Sequence, residues 1–414
     1  MSEPIPPNST DATRSQPAAR LIVWLGLLTA FSPLAIDMYL PAFPQMERDL
    51  AAAPGRIELT LSLFLAGLAA GQYVIGPFSD RFGRRAPLLI GCGVYSLAAL
   101  LCPLAPTVEW LIALRFVMGF SGAAGLVVSR AVVRDLYDES RSAGVYSFMM
   151  MITGIAPIVA PLIGGVLLEH FQWHAIFWTL AAIGIICGGA VVFDLPETLP
   201  FERRLRQPIA TVVPRSAAIL LDGRFLGYAL AIGFSYGALF AYITGSPKTY
   251  ISYFGVSPQA FSGYFASNAV VLLITAQLNR VLLRSFSPHA LLRFAAIVAL
   301  AGGVTLLGLT ATGVGGFWPF HVTLCICIAT LGLIFPNATA AAMAPFGREA
   351  GSASAVLGLL QYIIGAFAGA AVGLLNGDTP LAMAAVLAAC EAGVFTVIFW
   401  GERHRKASTL APGH

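Results

Sequence analysis

The sequence predicts an all-α membrane protein of twelve transmembrane helices, arranged as two pseudo-symmetric six-helix bundles. Three observations predict it. Only 11% of the 414 residues are charged while 57% are hydrophobic, whereas a soluble domain carries roughly 25% charged residues. Apolar runs of membrane-spanning length recur along the whole chain. Lys and Arg gather in alternate connections between those runs. Charge is scarce because each ion in hydrocarbon costs several kcal/mol, and the 42 glycines suit helices that pack closely in lipid.

The apolar runs lie near residues 21–41, 59–78, 86–105, 109–133, 143–168, 174–194, 225–250, 261–283, 290–311, 317–343, 351–375 and 380–400; they are spans one to twelve below. A hydrocarbon core of about 30 Å takes roughly 20 helical residues, so each run is long enough to cross. Twelve crossings return both ends to one face. With the N-terminus in the cytoplasm, twenty of the 24 Lys and Arg fall on the inner side, only Arg48 and Arg56 fall outside, and Arg115 and Lys248 lie within spans. That asymmetry orients the chain with both termini cytoplasmic.

Residues 1–20 are polar and rich in Pro, Ser and Thr, which reads as a disordered cytoplasmic tail rather than a cleavable signal peptide. The polar interval 195–224 reads as a cytoplasmic linker between a first bundle over 21–194 and a second over 225–400, with 401–414 as a cytoplasmic tail. The halves echo each other weakly: Asp37-Met38-Tyr39-Leu40-Pro41 ends span one and Ile243-Thr244-Gly245-Ser246-Pro247 occupies the matching place in span seven. Internal repeats of this kind suit transporters that rock two halves about a midplane site. The six cysteines are scattered through apolar runs without metal-ligand spacing, so neither a metal nor a cofactor is expected, and nothing points to nucleic acid.

The strongest local signal joins spans two and three: Gly76-Pro77-Phe78-Ser79-Asp80-Arg81-Phe82-Gly83-Arg84-Arg85. The connection is very short, so Gly83 suits a backbone shape other residues resist, and Asp80 and Arg84 are spaced to pair on one helix or across helices. Span four carries Arg115-Phe116-Val117-Met118-Gly119-Phe120-Ser121-Gly122. Span five carries Gly154-Ile155-Ala156-Pro157-Ile158-Val159-Ala160-Pro161-Leu162-Ile163-Gly164-Gly165.

These strings resemble motifs of the major facilitator superfamily. The first resembles its loop between spans two and three, the second the arginine motif of its drug–proton antiporters with Met118 where Gln is usual, and the third the antiporter motif with Ala160 in place of one Gly. Ile36-Asp37-Met38-Tyr39-Leu40-Pro41, Leu195-Pro196-Glu197-Thr198-Leu199 and Leu333-Ile334-Phe335-Pro336-Asn337-Ala338 resemble the Bcr/CflA subgroup of drug exporters. The resemblance implies the major facilitator fold, a multi-pass protein of the bacterial inner membrane acting as a monomer, and proton-coupled efflux of small amphipathic drugs by alternating access.

Asp37 and Arg115 carry that expectation. Asp37 lies about 16 residues into span one, ~24 Å along it, and Arg115 enters span four from the other direction to a similar depth. The resemblance implies that both spans line the central cavity. A carboxylate in low dielectric near a guanidinium can change charge during a cycle, so Asp37 is the expected proton carrier with Arg115 tuning it. A fixed Asp37–Arg115 salt bridge, or Asp37 capping a helix end near Pro41, fits the same residues.

Asp80, Arg84 and Asp135 are expected to form an interhelical network, and the resemblance implies that it latches the cytoplasmic gate, with Gly76, Arg81, Gly83 and Arg85 in the same motif; surface anchoring is the alternative. Pro157, Pro161, Gly164 and Gly165 are expected to bend and pack span five. Tyr39, Tyr242, Asn268, Asn337, Gln361 and Tyr362 are candidate cavity liners. Lys248 is expected to snorkel outward. Glu391 on span twelve is a functional candidate by its depth and a hydrogen-bonded structural carboxyl by the peripheral position that the resemblance implies for that span.

A proton-linked exporter or facilitator of a natural metabolite would share this fold. A membrane enzyme lacks support, since there is no H-E-x-x-H string and no clustered Asp pair on one span. A channel is usually built from fewer spans around a symmetric filter.

Overall fold

The computed structural model describes residues 19–204, 218–346, 350–375 and 379–410. The expected N-terminal tail and part of the expected linker lie outside the described residues. Among those described, eleven helices are long and apolar enough to cross a membrane, and a helix pair bent by 44° is the twelfth when taken as one broken span.

That bent pair is span one, which the hydropathy pattern presented as one run and the structure breaks. A helix over Ala19–Thr29 is followed by Phe31–Asp37, a short tight turn over Leu40–Ala42 and a helix over Phe43–Asp49. Proline explains both breaks. Its ring clashes with the carbonyl four residues back; for Pro33 that is Thr29 and for Pro41 it is Asp37, the last residues of the two helices. Spans two to six are Arg56–Phe82, Arg85–Leu104, Val108–Leu136, Glu139–His170 and His174–Asp194. Spans seven to ten are Gly223–Tyr253, Pro258–Leu282, Pro288–Thr312 and Phe317–Met343. Span eleven is Ala350–Leu374, and the last helix runs Leu381–Leu410, past the expected end of span twelve.

Span seven changes character at Pro247, after which Lys248–Tyr253 form a π-helix. Such wide turns are rare and interrupt otherwise regular helices. The break in span one and the widened end of span seven thus occupy matching places.

Spans three, six and nine present large apolar side chains outward, including Leu97 on span three, Ile186 on span six and Phe294 on span nine. In water such faces would be sticky; against lipid they are the natural exterior. Span two packs on span four, and span seven on spans ten, eleven and twelve. Contacts between the first six spans and the last six run chiefly through spans two with eleven and five with eight. Gly164 marks one close approach: a Cβ there would press on the Met38 carbonyl of span one.

Candidate functional site: a buried aspartate and two charge clusters

Asp37 is buried, 3% exposed, on the last turn of Phe31–Asp37. The short turn that follows packs against spans five, seven and eight, so Asp37 stands where the halves meet. It makes no salt bridge, and its Oδ1 has no hydrogen-bond partner among the described residues.

The fixed Asp37–Arg115 salt bridge that the sequence left open as an alternative is not formed. Arg115 is fully buried, and its Nη2 donates to the Ala35 carbonyl at 2.8 Å. Its guanidinium lies over the rings of Tyr39 and Phe64, at 4.3 and 4.4 Å from the centroids, with Phe177 at 5.9 Å. The physical reason is the break in span one. A helix that stops at Asp37 leaves its last carbonyls without intrahelical donors, and a buried arginine satisfies one of them while aromatic faces stabilise the rest of its charge. Arg115 caps the helix that carries Asp37 rather than neutralising its carboxylate. Tyr39, an expected cavity liner, is locked into this cage, with its hydroxyl 3.1 Å from Thr60 Oγ1.

A second cluster lies between spans two and three. Arg84 Nε donates to Asp135 Oδ2 at 2.8 Å, and its Nη1 to Asp80 Oδ1 at 2.5 Å and Ser79 Oγ at 2.8 Å. The Arg84 side chain is 2% exposed. Gly83 makes the turn with φ of 96°, which L side chains rarely adopt, and a Cβ there would also meet the Glu197 carboxylate. Arg85 Nη2 donates to the Val192 carbonyl at 2.6 Å, near the end of span six. Gly76 lies beside Val127 of span four. Arg81 stands apart, exposed and over the Phe82 ring. Among the described residues the side-chain partners of Arg84 all come from spans two and four, and none comes from the last six spans.

Glu197 belongs to a motif string, but its position could not be read from sequence. Its Oε1 accepts from the Arg84 and Leu199 N–H groups at 2.8 and 3.0 Å, and its Oε2 from Arg85 N–H at 3.3 Å. The carboxylate therefore sits at the N-terminus of span three, where helix N–H groups and the dipole favour an anion. Burial pushes its pKa up, but the N–H donors of Arg84, Leu199 and Arg85, with the Arg204 charge, outweigh that and hold it below the usual glutamate value. Because the folded pKa is depressed, this stabilisation is present above the ordinary glutamate pKa, about 4.3, and is lost as pH falls through the lower folded value. Glu197→Gln should lower the melting temperature in detergent by roughly 2–4 °C at pH 7, and by progressively less as the pH is taken into the acid range. A pH-independent difference in scanning fluorimetry would show that the charge is not what stabilises.

On span five, both prolines lie inside an unbroken helix. The Pro161 carbonyl accepts from Ser262 Oγ of span eight at 2.8 Å, and Gly165 lies against the same Ser262 side chain. Ser262 was not singled out from the sequence, where it is one serine among many.

The remaining candidates divide. Tyr242 stacks on Phe265 at 5.3 Å, and the Asn268 amide donates to the Tyr264 carbonyl at 3.0 Å; both are buried near Asp37. Asn337 Nδ2 donates to Asn279 Oδ1 at 2.7 Å and to the Leu333 carbonyl at 2.8 Å, which ties span ten to span eight. Tyr362 meets Gln72 of span two, Gln361 of its own span and Tyr236 of span seven. Lys248 lines a pocket of about 200 Å³ together with Glu58, Thr249, Tyr253 and Met383. Glu58, buried on span two, was also missed, because one acid at the start of an apolar run reads as a helix-end charge. Glu391 presses on Gly303 of span nine and reaches the Cys327 thiol of span ten. Among the described residues, no group of His, Cys, Asp and Glu side chains could hold a metal ion.

Comparison with known proteins closes the identification. The family described as Major Facilitator Superfamily matches residues 25–370. An uncharacterized MFS-type transporter, YdgK of Bacillus subtilis, is 39% identical over 365 residues, covering 88% of this chain and 90% of that protein. A bicyclomycin resistance protein homolog of Haemophilus influenzae is 34% identical over 369 residues, covering 89% and 92%. The crystal structure of a bacterial homolog of the human lysosomal transporter Spinster, inward-facing and unoccupied, superposes with a TM-score of 0.72 at 15% identity over 97% of this chain and all of that one, which establishes the shared fold. The chain is a multi-pass membrane transporter of the major facilitator superfamily, in the company of the bicyclomycin-resistance relatives to which its motifs pointed.

Proposed function

We propose that the protein is a proton-coupled exporter of small amphipathic drugs that works by alternating access, with Asp37 as the proton carrier. The observation that carries this reading is the buried carboxylate of Asp37, without a salt-bridge partner among the described residues, on a broken helix between the two halves. A fixed ion pair would hold its charge through the cycle. An unpaired carboxylate has only a proton, or a group on the substrate, to offset the cost of its charge in low dielectric. Exchange of one for the other is antiport. The bicyclomycin-resistance relative favours drugs as the cargo.

In this reading Arg115 keeps the broken helix in shape, and Pro157, Pro161, Gly164 and Gly165 let span five rock against span eight. The Asp80–Arg84–Asp135 cluster keeps spans two and four in register at the cytoplasmic face while the halves move. The chain divides as a first bundle over 21–194 and a second over 225–400, joined by the linker 195–224, between tails at 1–20 and 401–414. Both ends face the cytoplasm of a bacterial inner membrane, and the unit is a monomer.

The test is a panel of efflux measurements in a strain lacking its own pumps, with and without an uncoupler. Efflux of at least one amphipathic compound should be lost when the proton gradient is collapsed. Saturable transport indifferent to the uncoupler would sink the coupling, and a panel in which only sugars or amino acids move would replace drugs with metabolites.

A further inference from the structure

A buried polar string runs from near the start of span ten to Asp37. His321 lies one turn into span ten and is 7% exposed. Its Nδ1 is 2.7 Å from the Tyr250 hydroxyl on the widened end of span seven. Its Nε2 faces the Ser267 hydroxyl of span eight at 3.5 Å and the Cys325 thiol at 3.6 Å, and the ring of Tyr264 lies 5.0 Å away. The Asn268 amide reaches both the Tyr250 and Tyr242 hydroxyls. Tyr242 in turn is close enough for the Asp37 charge to act on it.

Three atoms along this string are buried without a well-formed hydrogen bond to the described residues: the Tyr242 hydroxyl, Asn268 Oδ1 and Asp37 Oδ1. Such atoms are uncommon in a folded protein and mark strain, function or bridging water. Here three stand together, in the part of the molecule where the break of span one packs on spans seven and eight. Arg115 holds the Ala35 carbonyl, two residues before Asp37, and Tyr242 is a hydroxyl on which the Asp37 charge acts.

We infer that His321, Tyr250 and Tyr242, held in register by Asn268, form a proton path to Asp37 from the face opposite the Arg84 cluster. A proton taken up at one ring nitrogen of His321 is matched by one released from the other to the Tyr250 oxygen. Tyr250 passes its own hydroxyl proton by way of bridging water to Tyr242, and Tyr242 passes its own, again by way of bridging water, to Asp37. Each relay group ends with the number of protons it began with, and Asp37 gains one. Imidazole and phenol suit the task because each both donates and accepts. Asn268 is a positioning residue. The path lies in the second half of the chain while its terminus lies in the first, so the meeting of spans one, seven and eight is what joins them.

This path rests on the carrier role proposed for Asp37, and the test separates the two. The full-length protein is reconstituted in lipid vesicles and given a rapid pH drop, with protonation of Asp37 followed by its carboxyl infrared band, identified as the band missing in Asp37→Asn. His321→Gln and Tyr250→Phe should slow the appearance of that band at least tenfold while leaving its final amplitude unchanged. Asn268→Ala should slow it as well. Wild-type rates in His321→Gln and Tyr250→Phe overturn the path, and so does loss of final amplitude in both, which would mean a structural role only. Proton-driven efflux retained in Asp37→Asn would instead overturn the carrier reading, whatever the infrared kinetics show.

Discussion

Asp37→Asn should abolish the gradient-driven part of efflux, a fall of roughly 100-fold or about 2.7 kcal/mol, while the protein accumulates in the membrane at wild-type levels. The substitution keeps the shape of the side chain and removes only the ability to exchange a proton. Few static contacts are at risk, because Asp37 makes no salt bridge and its Oδ1 has no partner to lose among the described residues. The cost to folding is therefore expected to stay near 1 kcal/mol or below, the scale of one neutral hydrogen bond. Downhill movement of drug should survive in vesicles without a pH gradient, since alternation of the halves does not itself need the proton. Undiminished uncoupler-sensitive efflux by this variant would sink the coupling role.

The largest stability effect should come from Arg84→Ala. One guanidinium, 2% exposed, holds Asp135 at 2.8 Å and Asp80 at 2.5 Å while Ser79 donates its hydroxyl elsewhere and accepts from the same fork. Removing the cation leaves two carboxylates facing each other. Breaking a buried pair costs roughly 3–5 kcal/mol, and because Asp80 is 35% exposed the lower end of that range applies here. Low expression and a clear drop in melting temperature are expected. Arg84→Lys should rescue little, since an ammonium cannot present the fork that reaches both acids and Ser79 together. Adding Asp135→Asn to Arg84→Ala should restore part of the loss, as residues in one network do not act additively. Additive losses in the double variant would show that Arg84 acts through packing alone.

The two charge clusters were legible to different degrees. Asp80 and Arg84 are four residues apart, and that spacing alone puts them on one helix face. Asp135 is 51 residues from Arg84 and Glu197 is 113, so only packing of spans two, three and four with the segment after span six brings them to the same guanidinium and helix end. Depth along a span was also legible, at ~1.5 Å per residue, and Arg115 reaches the Ala35 carbonyl, two residues before Asp37. Depth does not give direction around the helix axis. Whether two residues at one level face each other depends on the rotation of each helix, and here the prolines at 33 and 41 turn the end of span one so that a backbone carbonyl, not the carboxylate, meets Arg115.

By itself the sequence determined that the chain crosses lipid about twelve times, which motifs it carries and which family it resembles. Those properties follow from local requirements: apolar length to span hydrocarbon, backbone satisfied within each helix, and short strings with few conformations open to them. Tertiary structure alone decided that Arg115 is a helix cap, that Glu197 is the anion at the start of span three, and that His321 of span ten meets Tyr250 of span seven. Each of these is a contact between residues far apart in the chain, set by helix rotation and by where proline interrupts the backbone, and neither is expressed in hydropathy or spacing.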